Sequence, residues 1–171
     1  MPAENYKALF QYNAWANQRT LEACATLTTE QFTRDVESSF RSVRDTLVHL
    51  MGVEHIWLER WKQTSKGAPL KAAEYPDIES LKTAWGKIEA DLTSYVNGLA
   101  DEDVNRIIPH KNFAGQEFRM PLWQMMQHLL NHQTYHRGQI TTLVRQVGGK
   151  PLGTDLIGFY RAHPEFTDLG A

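Results

Sequence analysis

The sequence lacks the features that define several large classes of protein. It has one cysteine, Cys24, in 171 residues, so no internal disulfide can form, and we interpret this thiol as a small core residue of a helix. No apolar run approaches the ~18 residues of a transmembrane helix, so we expect no membrane span. The N-terminal residues lack a basic segment followed by an apolar one, which predicts no secretory signal and favours the cytoplasm.

An excess of charge of one sign is also missing. The 18 basic and 20 acidic residues are scattered and give a formal net charge of −2, so no basic patch indicates a nucleic-acid partner. Apolar residues make up 42% and charged residues 22% of the chain, which is typical of a globular protein. Because the sequence also has no repeat, low-complexity tract or long linker, it predicts a single domain over residues 1–171.

Helical periodicity and turn signals divide the chain into four long helices. Ser42 followed by Asp45 resembles a capping box, Asp77 is a good N-cap, and Pro121 occupies a favoured first helical position. The predicted bounds are about Ala3 to Ala25 with Thr28-Thr29 after it, Ser42 to Gln63 with SKGAP after it, Asp77 to Leu99, and Pro121 to the Gly148-Gly149 pair.

Two shorter elements are also predicted. The stretch RIIPHKNFAGQEFRM has two β-prone runs around an Ala-Gly turn and predicts a small hairpin before the fourth helix. A short C-terminal helix is expected from about Thr154 to Ala162. Long helices with modest connections favour an all-α fold, an antiparallel four-helix bundle, in which the hairpin lengthens one connection.

Two histidines four residues apart in NHQTYHRGQI are the strongest chemical signal. At 100° per residue, His132 and His136 lie within about 60° of the centre of the apolar stripe of the fourth helix, so both should face the bundle interior. Residues one turn apart have Cβ atoms roughly 5–6 Å apart, which lets two imidazoles bind one ion. Without a metal, each ring nitrogen left unpaired in a core would cost about 1–3 kcal/mol.

The other histidines differ in the helix face that they occupy. His49 shares a face with apolar residues and is the best candidate for a third ligand, although taken alone it could also be a core histidine satisfied by hydrogen bonds. His55 lies at the edge of the same helix. His128 projects roughly 90° from the stripe centre and is expected at the surface or behind the ligands. His110, in a loop, and His163 are expected to be solvent-exposed.

The histidine pair also resembles the H-E-x-x-H motif of metalloproteases. Gln133 stands where that motif has the glutamate that acts as general base, and a carboxamide cannot take a proton from water at neutral pH. Protease chemistry of that kind is therefore not expected, and Tyr12, Tyr135 and Glu54 are candidate bases without an assigned position. Three neutral nitrogen ligands would leave a divalent ion with its full charge and with open positions for water or substrate.

Four stretches together resemble the DinB/YfiT-like family of metal-binding four-helix proteins. They are YNAWANQR, TLVHLMGVEHIWLERW, NHQTYHRGQI and GKPLGTDLIGFYR, and the resemblance spans nearly the whole chain. It implies one divalent metal ion per chain, nickel or zinc, held by His49, His132 and His136 with water completing the shell. It also suggests a homodimer.

Relatives in that family include thiol-dependent transferases and isomerases that work with thiols such as bacillithiol, mycothiol or glutathione. The resemblance therefore implies a small-molecule thiol and an electrophilic substrate, with the metal holding the thiol as thiolate. Two alternatives stay open: a metal-dependent hydrolase that uses a metal-bound hydroxide, and a non-catalytic bundle that stores metal or binds a partner.

The remaining signature residues have structural interpretations. Arg137 is expected to pair with a carboxylate on a neighbouring helix. Gly138 is expected to permit a close approach of helices, because glycine otherwise costs about 1 kcal/mol in a helix interior. The five tryptophans could line a pocket, but positions in the core or at a dimer interface are more typical.

Overall fold

The computed structural model describes residues 1–64 and 69–166, and its main elements follow the predicted order. The helices are α1 Ala3–Cys24, α2 Thr29–Thr33, α3 Val43–Lys62, α4 Ile78–Asn97, α5 Leu122–Gln146 and α6 Leu156–Ala162. The strands are β1 Ile107–Lys111 and β2 Glu117–Pro121, and short 3₁₀ turns occupy Ala72–Glu74, Asp103–Asn105 and Pro164–Phe166. Most of the SKGAP stretch that is predicted to end the second helix lies outside the described residues.

Side-chain caps explain where two of the long helices begin. The Ser42 hydroxyl accepts a hydrogen bond from the backbone amide of Asp45 at 3.0 Å, which starts α3 as predicted. The Asp77 carboxylate accepts from the amide of Ser80 at 2.8 Å, which starts α4 as predicted. Each cap satisfies an amide that would otherwise have no partner in the first helical turn.

Two of the predicted boundary signals have another role in the structure. The Thr28-Thr29 pair follows the first helix, but it also begins the extra helix α2, because Thr28 and Gln31 form a complete capping box. Pro121 is the last residue of β2 and precedes the first residue of α5, so it does not take the first helical position. Each signal therefore belongs to a second element as well as to the predicted helix.

The long helices α1, α3, α4 and α5 form a four-helix bundle, which confirms the predicted fold class. Both α1 and α3 pack against α4 and α5. Tyr6 lies beside Trp123, and Asn13 lies beside Arg137 further along both helices, so α1 and α5 run in the same direction. The α3 and α5 helices are antiparallel.

The helices α3 and α4 also run in the same direction. Glu54 bonds to Trp85, and Trp61 packs against Tyr95 further along both helices. The connection between α3 and α4 must therefore return along the bundle, and Leu70 in its described part packs against the middle of α3. Helix order was not readable from the sequence, so this returning connection is a finding of the structure.

Two apolar clusters fill the bundle, and a polar layer lies between them. The first cluster packs around the start of α5 and the second around its end. The polar side chains between them are each at most 2% exposed: Asn13, Asn17, Glu54, Gln133 and Arg137. The same stretch of α5 carries His132 and His136, so the predicted ligands belong to this middle layer.

The predicted hairpin closes one end of the bundle. Its strands are antiparallel, with Ile107 opposite Pro121 and Lys111 opposite Glu117. Gly115 in the turn has a φ of +79°, a conformation that favours glycine. Strand β1 joins the first apolar cluster through a buried isoleucine, which fixes the hairpin against the start of α5.

Cys24 is a core residue, as the sequence indicates. Its side chain is 1% exposed within the second apolar cluster. Burial raises the pKa of this thiol to about 12, so it is not a thiolate at neutral pH. Within residues 1–64 and 69–166, no helix has the length and apolar character needed to cross a membrane.

Candidate metal centre

The three histidines predicted as metal ligands lie together in the structure. His49 is on α3, and His132 and His136 are one turn apart on α5. One ring nitrogen from each lies within 4.8 Å of the others, and the Nε2 atoms of His49 and His132 are 3.1 Å apart. Two nitrogen donors bound to one ion at about 2.0–2.1 Å are themselves roughly 3 Å apart, so this spacing suits a shared metal ion.

Packing between α3 and α5 brings together histidines that are 83 positions apart in the chain. The side-chain amide of Gln133 donates to the backbone carbonyl of Leu50 at 2.9 Å. Gln133 directly follows His132, and Leu50 directly follows His49. This hydrogen bond between α5 and α3 therefore holds the two histidines at the same level along the bundle axis. The Gln133 amide therefore has a structural partner in the backbone of α3.

Burial keeps two of the imidazoles neutral. Desolvation, followed by the nearby His136, lowers the pKa of His49 to about 4. Desolvation also lowers the pKa of His132 to about 3, with smaller contributions from the surrounding histidines. Both rings are therefore uncharged at neutral pH and offer a lone pair, which is the form that binds a metal ion.

Gln139 orients His136. The Gln139 carboxamide oxygen lies 2.6 Å from Nδ1 of His136, so the Nδ1–H group donates to it. This hydrogen bond fixes the tautomer in which Nε2 of His136 carries the lone pair, as partners of metal-binding histidines commonly do. Gln139 is part of the HRGQ stretch, but no role is predicted for it from the sequence. The available signal was its position three residues after His136, on the same helix face.

Phe40, which precedes α3, covers one face of the cluster. Its ring stacks on the ring of His49 with 4.2 Å between centroids and 25° between planes. The Phe40 ring also meets the ring of His136 edge to face at 5.5 Å. Its role is not predicted from the sequence, because Phe40 lies in an irregular segment whose path depends on tertiary contacts.

The other four histidines, all within the described part of the chain, lie outside the cluster. His128 is exposed, and its ring centroid is 6.0 Å from that of His132, which agrees with a position behind the ligands. His55 lies at the edge of α3 as predicted, beside a carboxylate. His110 is on β1 rather than in a loop, and both His110 and His163 are half-buried because they pack against aromatic rings.

Arg137 and Gly138 differ from their sequence-based interpretations. Arg137 is buried and donates to the side-chain carbonyls of Asn13 at 2.7 Å and Asn17 at 3.0 Å. These asparagines in turn donate to Glu54, so Arg137 reaches a carboxylate through them rather than directly. Gly138 is exposed, and a Cβ atom there would meet nothing within 4 Å, so the predicted close helix approach is wrong.

Of the three candidate bases, Tyr135 is the one that contacts the cluster. It is 64% exposed, and its ring centroid is 5.0 Å from that of His136. Glu54 is fully buried and accepts hydrogen bonds from α1 and α4, while Tyr12 donates to the carbonyl of Thr154. The contacts of Glu54 and Tyr12 are thus with other parts of the bundle.

Fold and site together define a helical-bundle protein in which three converging imidazoles could hold a metal ion. The chain belongs to the DinB family, whose family model matches residues 1–166. The match extends over nearly the whole chain and confirms the family that the four sequence stretches resemble.

Individual relatives and a solved structure also match most of the chain. A Bacillus subtilis (strain 168) protein named DinB is 25% identical over 154 residues, which are 86% of this chain and 88% of that protein. YizA of the same organism is 20% identical over 149 residues, or 87% of this chain and 92% of that protein. A crystal structure of a DinB-like protein from Bacillus cereus ATCC 10987 matches with a TM-score of 0.67 and 21% identity, covering 85% of this chain and 94% of that one, which shows the shared fold.

Proposed function

We propose that His49, His132 and His136 bind one divalent ion, nickel or zinc, and that the protein uses it to activate a low-molecular-weight thiol in a transferase or isomerase reaction. The observation that carries this proposal is the convergence of three imidazole nitrogens within 4.8 Å of one another. Among the described residues, the cluster includes no carboxylate. A divalent ion would therefore keep its full positive charge and favour an anionic ligand such as a thiolate.

The facing ring nitrogens support a metal site over a purely structural role. The Nε2 atoms of His49 and His132 lie 3.1 Å apart, so without an ion one of them must carry a hydrogen and donate it to the other. An ion between these two atoms would bind the lone pairs of both and replace that contact. Nδ1 of His132, which is buried without a hydrogen-bond partner among the described residues, would then carry the ring hydrogen.

The residues around the cluster have separate roles in this proposal. When bound, the ion would lower the pKa of a thiol and hold it as the reactive thiolate. Gln139 holds His136 in the tautomer that binds a metal, and Phe40 covers the rings on one side. Tyr135, exposed beside His136, is the candidate for moving a proton at the open side of the cluster.

Metal content in purified, tag-free protein tests the site. We expect about one ion per chain in the wild type and loss of the ion in His49→Ala, His132→Ala and His136→Ala, because each ligand contributes to a site with only three. His128→Ala is the matched control, since it removes an exposed histidine beside the cluster. Unchanged metal content in the three ligand variants would contradict the site.

Titration of the cobalt-loaded protein with small thiols tests the reaction class. We expect a thiolate-to-metal charge-transfer band that is absent in His132→Ala protein. A cobalt spectrum that does not respond to thiols would contradict thiol activation. It would favour the alternatives of a metal-dependent hydrolase or a non-catalytic metal-binding bundle.

A further inference from the structure

A cavity of about 350 Å³ lies directly beside the histidine cluster. His49 belongs to both, since it lines the cavity and is one of the three clustered histidines. Other parts of the wall come from Val53 and Ile56 of α3, from Leu70 of the returning connection, and from Phe40. A molecule that reaches the cluster can therefore extend into this space along the rings of Phe40 and His49.

The wall of the cavity is almost entirely apolar. Asp45 is the one carboxylate or cationic side chain among the described residues that line it, and Asp45 is already paired with Arg44 at 3.0 Å. The volume lies near the lower end of the roughly 300–1,000 Å³ that is usual for small-molecule sites. A wall of this kind stabilises a hydrocarbon group and penalises a charged group that finds no partner.

The apolar wall of the cavity indicates which of the two proposed substrates it binds. Thiols such as glutathione carry carboxylate and ammonium groups, and these would lose their hydration in the cavity without gaining a partner. Resting on the metal site and thiol chemistry proposed above, we propose that the cavity binds the nonpolar alkyl or aryl group of the electrophilic substrate. The cavity then holds this group next to the position where the thiol is activated.

A series of alkyl ligands tests the cavity without using a thiol. We would titrate the cobalt-loaded full-length protein with 1-methyl-, 1-butyl- and 1-hexylimidazole and follow cobalt absorption. The imidazole nitrogen binds the ion, and the alkyl chain samples the adjoining space. We expect the affinity to rise about twofold to fourfold for each added methylene that is buried. Equal affinities across the series would overturn the proposal.

Filling the cavity supplies the matched variants. Gly52→Leu acts from α3 and Ala72→Leu from the returning connection, and both residues line the cavity. A Cβ atom on Gly52 would make an ordinary contact with Leu70 at 3.7 Å, so the first carbon of the new side chain fits. Gly86→Leu on α4 is the control, because a Cβ there would meet nothing within 4 Å.

The two filled variants should bind 1-methylimidazole as the wild type does but lose at least about tenfold of the advantage of 1-hexylimidazole. A full advantage retained in both variants would overturn the proposal. If the three alkylimidazoles bind with equal affinity to protein that shows the thiolate band, only the proposal for the cavity is contradicted. If the affinity rises with chain length but the cobalt spectrum does not respond to thiols, only the proposal of thiol activation is contradicted. Failure to bind cobalt contradicts both proposals.

Discussion

Gln139 is a residue that contacts no ion in the proposed site and yet should control its affinity. Its oxygen holds Nδ1–H of His136 at 2.6 Å. In Gln139→Leu the ring loses this partner and can adopt the other tautomer, so we expect metal affinity to fall about 10-fold to 100-fold. Competition with a chromophoric chelator measures this change.

Two further variants make the Gln139 experiment specific. Gln139→Glu keeps an oxygen acceptor at the same position and should retain most of the affinity. Gln127→Leu removes an exposed glutamine of the same helix and should have no effect. Wild-type affinity in Gln139→Leu would show that the hydrogen bond does not influence the ion.

At the scale of single residues, the sequence predicted what depends on helical spacing. His132 and His136 share a face because they are four apart, and His49 was found from the apolar face of its own helix. Phe40 was missed because an irregular segment has no periodicity to place it. Gln133 was set aside as a base from its chemistry alone, and its bond to the α3 backbone is a tertiary contact that no local pattern contains.

At the scale of the helix, α5 carries a glycine that its packing does not require. A Cβ on Gly138 would meet nothing within 4 Å. We therefore expect Gly138→Ala to raise the free energy of unfolding by about 1 kcal/mol, because alanine is the better helix former. Urea unfolding followed by circular dichroism measures this change.

Substitutions at two other glycines serve as comparisons for Gly138→Ala. Gly86 on α4 is equally open, so Gly86→Ala should stabilise by a similar amount. Gly149 follows the end of α5, and a Cβ there would lie 2.5 Å from the side chain of Leu27, so Gly149→Ala should destabilise. If Gly138→Ala destabilised the protein, that result would contradict this expectation and favour the close helix approach that the sequence suggested.

The helices themselves were largely predictable, and their order in the bundle was not. Ser42 and Asp77 mark helix starts by local chemistry that is visible in the sequence. Helix α2 was missed because Thr29–Thr33 is too short to show a helical period. The parallel pairing of α3 and α4 depends on how the connection packs against α3, which is a property of the whole bundle.

At the scale of the whole molecule, the buried polar layer joins all four long helices. Glu54 of α3 accepts hydrogen bonds from Asn13 and Asn17 of α1 and, at 2.6 Å, from Trp85 of α4. Arg137 of α5 completes the layer through the same asparagines. Burial raises the pKa of Glu54, while these hydrogen bonds and the charge of Arg137 act in the opposite direction.

Glu89, at the edge of this layer, should make stability depend on pH. Burial, followed by the charge of Glu54, raises the pKa of Glu89 from 4.5 to about 7. Well below pH 4.5 the Glu89 carboxyl is protonated in both the folded and the unfolded chain. Between these two pKa values the folded state binds more protons than the unfolded state, so stability falls as the pH rises through that window. The loss is complete above the folded pKa.

Glu89→Gln removes this loss. We expect the difference in free energy of unfolding between Glu89→Gln and the wild type to grow in favour of the variant as the pH rises from about 4 to about 8. The full change is up to about 3 kcal/mol, and it is smaller where solvent reaches the side chain. Urea unfolding at several pH values checks this. Asp91→Asn, at an exposed position of the same helix, is the control. A constant difference between Glu89→Gln and the wild type at all pH values would contradict the raised pKa.

The association state of the chain stays a prediction. The family resemblance suggests a homodimer, and sedimentation equilibrium would measure it. Among the described residues, Leu152, Leu156 and Ile157 are exposed apolar side chains in one short stretch. A symmetric dimer formed through this surface would bury the same three side chains of each subunit.

The separation of the three histidines along the chain has a mechanical consequence. A chain with one cysteine cannot staple itself with a disulfide, but an ion shared by His49 and His132 would tie together two positions 83 residues apart. An ion that binds only the folded chain adds to the free energy of unfolding, by about 4 kcal/mol when the free metal concentration is a thousand times its dissociation constant. The proposed cofactor would then also be a reversible cross-link between the two halves of the protein.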